Sequence, residues 1–471
     1  MTETWSSAAG TLDLHLDWKP TARPARALAD ALRAAIRSGQ LGPGAVLPST
    51  RALAADLGLA RGTVSDVYGD LAAEGYLTIR HGAPTRVAAG LSPRPGQDVD
   101  TTTLARDPVP RWDLLPGSPD VSAFPRSAWA AATRRVMTGA AAESLGYIDP
   151  LGHPQLRRTL AEYVRRTRGV LAEPDQVIVG AGFAHLLAWW AHVVRARGVR
   201  TVAFENPSLD SLRLVAARAG LRVVPVDVDD DGLRVADLDA PAVVLTPSHQ
   251  YPLGVTLGPD RRAALVRRAI SDGLLVLEDD YDGEFRFDRR PVGALQAMAP
   301  EHISYGGTTS KTLAPGLRLA WLVVPHRLVP EFRETAPALG ERHASGIEQL
   351  VLADLIDSGG YDRHVRRMRA VYRRRRDRVL ANVDPSLVLP GGIAAGLHLL
   401  LQFPAGSPDE ATIERVARRH GLAIGLLGPN WHDPAKRPPG IIVGYAAPAD
   451  HAFAPALAAL RTTLAALPER A

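Results

Sequence analysis

Residues 303–325 read ISYGGTTSKTLAPGLRLAWLVVP, an apolar strand running into small and hydroxylic residues, then Lys311 and Arg318, before apolar residues resume. Residues 274–285, LLVLEDDYDGEF, end a second apolar run in carboxylates. Outward from these, short apolar runs at Gln176 to Val179, Thr201 to Phe204, Val223 to Val226, Ala242 to Leu245, Leu274 to Leu277 and Ile303 to Tyr305 alternate with longer helical stretches. That alternation predicts a largely parallel sheet covered on both faces. Such sheets bind ligands at the carboxyl ends of their strands, where Asp279 and Lys311 fall. A lysine among hydroxyls with a following arginine suits an aldehyde cofactor that carries a phosphate. The amine forms the imine, and hydroxyls with a guanidinium fork take the phosphate oxygens. A carboxylate just past an apolar strand can hold a cationic ring nitrogen. Taken singly, each residue has an ordinary reading: Asp279 caps a loop, Lys311 is solvated, Arg318 pairs with a carboxylate. Their order at strand ends carries the cofactor reading.

The chain has 471 residues, 46% of them hydrophobic, enough for two or three compact bodies. It has no cysteine, which excludes disulfides, thiolate metal sites and cysteine nucleophiles. Its 14 histidines form no H-E-x-x-H pair, so no metal is expected. Met1 to Gly10 carries Glu3 and Trp5 and no apolar run of signal type, and no segment approaches the roughly 18 apolar residues of a membrane span. A soluble, cytoplasmic protein without membrane contact is expected. The formal charge is +5, and between Lys19 and Gly90 nine Lys/Arg stand against five Asp/Glu. Most of the excess therefore lies in a short N-terminal segment, as in a polyanion-binding module.

In that segment Leu28, Ala31, Leu32, Ala35 and Ile36 have the spacing of one buried helix face, stopped by Ser38-Gly39. Ser49 is placed to cap a second helix that buries Leu53, Ala54 and Leu57 and turns at Gly58. A third helix, from about Arg61 to Glu74, buries Val64, Val67 and Leu71 and ends at Gly75. Residues 76–79 and 85–87, joined by a turn at 81–84, read as a two-stranded ribbon. This is a winged helix-turn-helix whose third helix enters a DNA major groove. Arg61, Thr63 and Ser65, with Tyr68 one turn on and Arg51 from the second helix, suit base edges and phosphates. Arg80 and Arg86 belong to the wing. Any one of these arginines alone is better read as solvated; the pattern is not.

The expected domains are 19–87, the DNA reader; 88–110, a tether rich in Pro, Gly, Thr and Asp; and 111–471, the cofactor-binding body, with a smaller subdomain at about 345–471. Extended, the tether could span about 80 Å. Residues 359–379 hold nine arginines with Val365, Met368, Val371 and Tyr372 at helical spacing, an amphipathic helix with a solvated basic face. A supplementary DNA-backbone contact there is the sharper alternative.

The stretch 39–77, GQLGPGAVLPSTRALAADLGLARGTVSDVYGDLAAEGYL, resembles the GntR superfamily, with Ala60 where that family commonly places a serine. The rest resembles fold-type I pyridoxal-phosphate aminotransferases, through DLLPGSPDVSAFPRSAW (113–129), LGYIDPLGHPQLRRTLAEYV (145–164), TPSHQYPLG (246–254), EDDYDGEFRF (278–287), GTTSKTLAPGLRLA (307–320) and GGYDRHVRRMRAVYRRRRD (359–377). The fusion of the two resembles the MocR/GabR regulators. The resemblance implies a multidomain chain: an N-terminal winged helix-turn-helix, then a fold-type I aminotransferase-like α/β domain made of a large, mainly parallel-sheet part and a small α+β part. It implies pyridoxal 5'-phosphate as cofactor, with Lys311 as Schiff-base lysine, Asp279 at the pyridinium nitrogen and Tyr281 at the phenolic oxygen. Thr308, Ser310, Arg318 and the amides of Gly182 and Phe183 would bind the phosphate, and Tyr147 would reach the phosphate of a partner subunit in a homodimer.

Two positions depart from the family pattern. Leu209, in ENPSLDS (205–211), stands where an aromatic ring normally stacks on the cofactor. Ile442, in GIIVGYAAP (440–448), stands where an arginine often grips a substrate α-carboxylate, with Arg437 nearby. Losing that grip argues against transamination and not against holding the cofactor. The expected function is a transcriptional regulator that binds double-stranded operator DNA and senses pyridoxal phosphate itself, as the PdxR regulators of vitamin B6 synthesis do, or an amine or amino-acid effector. An active aminotransferase is the alternative.

Overall fold

The computed structural model describes residues 23–89, 110–287, 292–338 and 344–467. The chain separates into two compact units, one within residues 1–108 and the other within 109–471. Most of the expected tether, and the residues before 23, lie outside the described residues.

In the first unit, α1 (Pro24–Arg37), α2 (Thr50–Leu57) and α3 (Arg61–Ala73) precede β1 (Leu77–Thr78) and β2 (Arg86–Val87). Proline at the start of α1 forfeits only an amide that would have no intrahelical partner. The buried stripe of α1 is Leu28, Ala29, Leu32, Ala35 and Ile36, with Ala31 half-buried at its edge. Ser49 caps α2 by accepting from the Ala52 amide at 3.2 Å, and Gly58 ends it at φ 65°. Ala60, by contrast, gives α3 no side-chain cap. The ribbon is wider than its two predicted strands. Residues 44–47 run alongside β2, with Gly44 N donating to Val87 O at 2.9 Å and Leu47 N to Thr85 O at 2.9 Å.

The second unit opens with β3 (Trp112–Leu114), α4 (Arg126–Gly139) and α5 (Pro154–Arg168). Then come β4 (Val177–Gly180), α6 (Phe183–Ala196), β5 (Thr201–Asn206), α7 (Asp210–Arg218), β6 (Arg222–Asp229), β7 (Gly232–Leu233) and β8 (Ala242–Leu245). The large part closes with α8 (Pro259–Ser271), β9 (Leu275–Asp279), β10 (Ile303–Thr308), β11 (Ala320–Val323) and α9 (Val329–Ala338). Strands β4 to β11 form one eight-stranded sheet in the order β4-β11-β10-β9-β8-β5-β6-β7. The pairs from β10 through β9, β8 and β5 to β6 are all parallel, while β11 lies antiparallel between β10 and β4. Every residue of β4, β8, β9 and β10 is buried, as near-continuous apolar runs require of a sheet covered on both faces. Helix α6 alone buries Leu186, Leu187, Trp189, Trp190, Val193 and Val194.

The remaining elements are α10 (Gly346–Asp357), α11 (Gly360–Leu380), β12 (Leu389–Gly391), β13 (Leu399–Gln402), α12 (Glu410–Arg419), β14 (Leu422–Leu426), β15 (Gly440–Val443) and α13 (Asp450–Ala465). They carry a second sheet, β12-β13-β15-β14-β3. Its edge strand β3 pairs in parallel with β14, so the smaller part is not one stretch at 345–471: it recruits residues 112–114. In α11 the predicted face is inward, with Val365, Met368 and Tyr372 buried and Val371 half-buried. One of its arginines departs from a solvated face. Arg375 is buried, pairs with Asp120 at 3.0 Å and donates to the carbonyls of Pro448 and Ala446.

Candidate functional sites

On the winged helix, Arg51, Arg61, Ser65, Arg80 and Arg86 are exposed and Thr63 is half-exposed. Arg86 Nη1 also donates to Gly44 O at 3.0 Å, tying the wing to the stretch beside it. Tyr68 corrects the sequence reading. Its ring is 1% exposed among the α1–α3 core residues and its hydroxyl donates to Pro48 O at 3.0 Å, so it braces the turn before α2 and presents nothing to DNA. Its place one turn beyond Val64 on the same helix face was the available signal.

In the second unit the carboxyl ends of β5, β8, β9 and β10 converge on a cavity of about 490 Å³. Asp279, Tyr281, Thr308, Ser310, Lys311, Arg318 and Phe183 line it together. The acids of 278–282, at the end of β9 and just past it, go to different partners. Glu278 accepts the amides of Leu295 and Gln296, each at 3.0 Å. Asp280 is held by Arg168 at 2.6 Å and by the Tyr305 hydroxyl at 2.9 Å. Asp282 pairs with His249 Nδ1 at 2.8 Å. Asp279, pointing the other way, keeps a buried Oδ1 with no hydrogen-bond partner. Burial pushes its acid well above the ordinary range, against the opposing pull of Lys311. A carboxyl left in that state fits a cationic N–H donor.

Lys311 Nζ donates to Gly117 O at 2.6 Å. Burial lowers its pKa, and Asp279 and Asp282 partly restore it. Thr308 and Ser310 are 3.0 Å apart through their hydroxyls. Gly182 sits at φ 106° at the N-terminus of α6, which no side chain caps, and a Cβ there would stand 2.7 Å from Arg318 Nη2. Arg318 is itself left-handed at φ 53°. An uncapped helix start, a glycine that admits a guanidinium, and two hydroxyls form a cradle with the chemistry a phosphate needs. Tyr281 lies 3.1 Å from His249 Nδ1, and burial, then Asp282, holds its phenol well above its usual pKa, so it remains an O–H donor.

Tyr147 is 88% exposed and does not line the cavity. Leu209 does line it, beside Leu212. Ile442 does not: it is 1% exposed and packs with Leu400 and Leu427 against Tyr251 and Trp431. Arg437 is engaged elsewhere, pairing with Asp227 at 3.2 Å and lying 4.4 Å over the Trp431 ring. Sequence reasoning missed Gly117, Glu205 and His398, all of which line the cavity, and His249 behind them. Glu205 ends an apolar run as Asp279 does, and the same strand-end rule would have found it.

The description "Aminotransferase class I and II" matches residues 118–396, and "Bacterial regulatory proteins, gntR family" matches residues 24–87. The fold is that of solved aminotransferases: an archaeal alanine:glyoxylate aminotransferase superposes with a TM-score of 0.68 at 21% identity, over 75% of this chain and 90% of that one. Among whole-length relatives, the HTH-type pyridoxine biosynthesis transcriptional regulator PdxR of Corynebacterium glutamicum is 33% identical over 88% of this chain and 90% of its own length. A probable rhizopine catabolism regulatory protein, MocR, of Rhizobium meliloti is 34% identical over 89% and 90%. The chain joins a GntR-type DNA-binding domain to an aminotransferase class I/II domain. It belongs to the MocR-type HTH transcriptional regulators.

Proposed function

We propose that this regulator holds pyridoxal 5'-phosphate on Lys311 and that the ligand state of the cavity sets its affinity for operator DNA. The unpartnered Asp279 carboxyl oxygen, in the wall that also carries Lys311, supports this reading most directly. Bound there, the cofactor supplies an aldehyde that reacts reversibly with primary amines. Lys311, its pKa lowered by burial, offers a larger neutral fraction as nucleophile. Asp279 holds the ring nitrogen, Tyr281 donates to the phenolic oxygen, and Thr308, Ser310, Arg318 and the amides of Gly182 and Phe183 take the phosphate. Tyr147, exposed and outside the cavity, is the residue proposed to reach the site of a second copy in a homodimer. Arg51, Arg61, Thr63, Ser65, Arg80 and Arg86 contact the operator, and the protein works in the cytoplasm.

Sustained transamination of amino acids is not part of this function. Lys311 and Arg318 are the only lysine and arginine among the described residues lining the cavity, and the proposal gives both to the cofactor.

The test is an absorption titration of the full chain with pyridoxal phosphate, wild type against Lys311→Ala, with binding to DNA from its own promoter region followed in the same samples. A visible-range band that requires Lys311 and a cofactor-dependent change in DNA affinity are expected. No band, or a band that persists in Lys311→Ala, would overturn the cofactor reading. Sustained keto-acid production over an amino-acid panel would restore the enzyme.

A further inference from the structure

Glu205, at the end of β5, is 3% exposed and lines the cavity. Its Oε2 accepts the Thr246 amide at 2.9 Å, the Thr246 hydroxyl at 2.6 Å and, at 3.5 Å, the Gln250 side chain. This ties down the 246–251 loop that carries His249. All three of these bonds fall on Oε2, and Oε1 takes none among the described residues. A loop latch needs one acceptor oxygen, which a glutamine would provide without burying an ionisable group. The second oxygen is surplus to the latch.

The rest of the wall points the same way. His398, 4% exposed, also lines the cavity, and burial lowers its pKa to about 3, so it adds no positive charge. Ile442 lies in its own apolar cluster. Phe204, Leu209, Leu212 and Val244 complete an apolar side. A ligand carboxylate entering beside the cofactor would meet a buried carboxyl and no uncommitted guanidinium. An N–H donor would meet an acceptor that lacks a partner.

We propose that Glu205 is a specificity-determining residue, and that the cavity admits, beside the cofactor, a small cationic amine without a carboxylate, bound by an N–H donated to Glu205 Oε1. Amino acids are rejected at the same point. A charge-assisted hydrogen bond in a water-poor site separates matched ligands by about tenfold or more. The inference rests on the cofactor reading for what fills the rest of the cavity.

The experiment measures binding of four three-carbon amines, 1,3-diaminopropane, 3-aminopropanol, propylamine and β-alanine, to the full chain by calorimetry, with and without bound pyridoxal phosphate, at a pH above the value of about 7 to which burial raises Glu205, so that its carboxyl is ionised. The diamine is expected to bind at least about tenfold more tightly than propylamine, the amino alcohol between them, and β-alanine most weakly. In Glu205→Gln, which keeps the latch, the gap between diamine and propylamine should shrink to about twofold or less. β-Alanine binding as tightly as the diamine, no measurable binding of any of the four, or an unchanged gap in Glu205→Gln would each overturn the proposal. If Glu205→Gln fails to fold, the wild-type order alone decides. A diamine preference seen with no Lys311-dependent absorption band keeps the role of Glu205 and overturns the cofactor reading.

Discussion

Single positions decide what this site can hold. Gly182 combines a left-handed φ of 106° with a guanidinium where its Cβ would be. Gly182→Ala should therefore lower stability by about 1 kcal/mol. Because Arg318 must move aside, pyridoxal phosphate should also bind about tenfold more weakly, read by absorption titration and a thermal melt together. A melt that shifts while cofactor affinity stays constant would remove Arg318 and Gly182 from the phosphate cradle. Tyr68 is the opposite case, a residue whose chemistry suggested an interface and whose position made it core. Tyr68→Phe leaves Pro48 O without its donor and should cost about 1 kcal/mol of winged-helix stability, with no change in DNA affinity at a temperature where the variant is folded. Weaker DNA binding by the folded variant would return Tyr68 to the DNA face.

At the scale of elements, the third helix of the winged module starts without a side-chain cap. Ala60 has extended backbone angles suited to an N-cap, φ −67° and ψ 139°, and lacks only the oxygen. Ala60→Ser should raise the stability of the N-terminal module by about 0.5–1 kcal/mol, seen as a higher melting midpoint. If α3 is no more stable with serine, its start is held by something other than local capping. In the second unit, the end of β9 does the sorting: Glu278 and, just past the strand, Asp280 go to backbone amides and Arg168, and Asp279 goes to the cavity. Of three consecutive carboxylates, two are thus engaged by the protein and one faces the cavity.

For the whole molecule, burying acids inside an α/β sheet has a consequence that depends on pH. Burial raises Glu205 and Glu278 from 4.5 to about 7. Between those values the folded chain keeps protons that the unfolded chain has released, so stability is greatest below about pH 4.5 for these groups and is lost as pH rises through 7. The melting temperature of the second unit should fall over that window, and Glu278→Gln should flatten the fall. Acids lowered by surface partners, such as Asp229 and Asp409, act below their normal value of 3.8, outside the window. Glu284, also raised to about 7 by burial, deepens the fall, and His398, lowered from 6.5 to about 3, opposes it, so the readout is the difference between wild type and variant. A fall as steep in Glu278→Gln as in the wild type would show that Glu278 is not buried as described.

Local pattern was enough for much of this. Apolar runs ending in DDYD and GGTTSK located the sheet and put Asp279, Lys311 and Arg318 at strand ends, because a strand buried on both faces must be apolar until it reaches the edge where ligands enter. Ser49, Gly58 and Gly75 marked the winged-helix boundaries, since caps and left-handed turns are local chemistry. Tertiary structure alone decided which acids were already paired, that Arg375 is buried, that residues 112–114 close the small sheet, that Ile442 stands apart from the cavity and that Glu205 lines it. Each of these depends on a neighbour far away in the chain: Arg168 for Asp280, Asp120 for Arg375, β14 for β3. A sequence read residue by residue shows which groups are present; packing determines which of them are left without a partner.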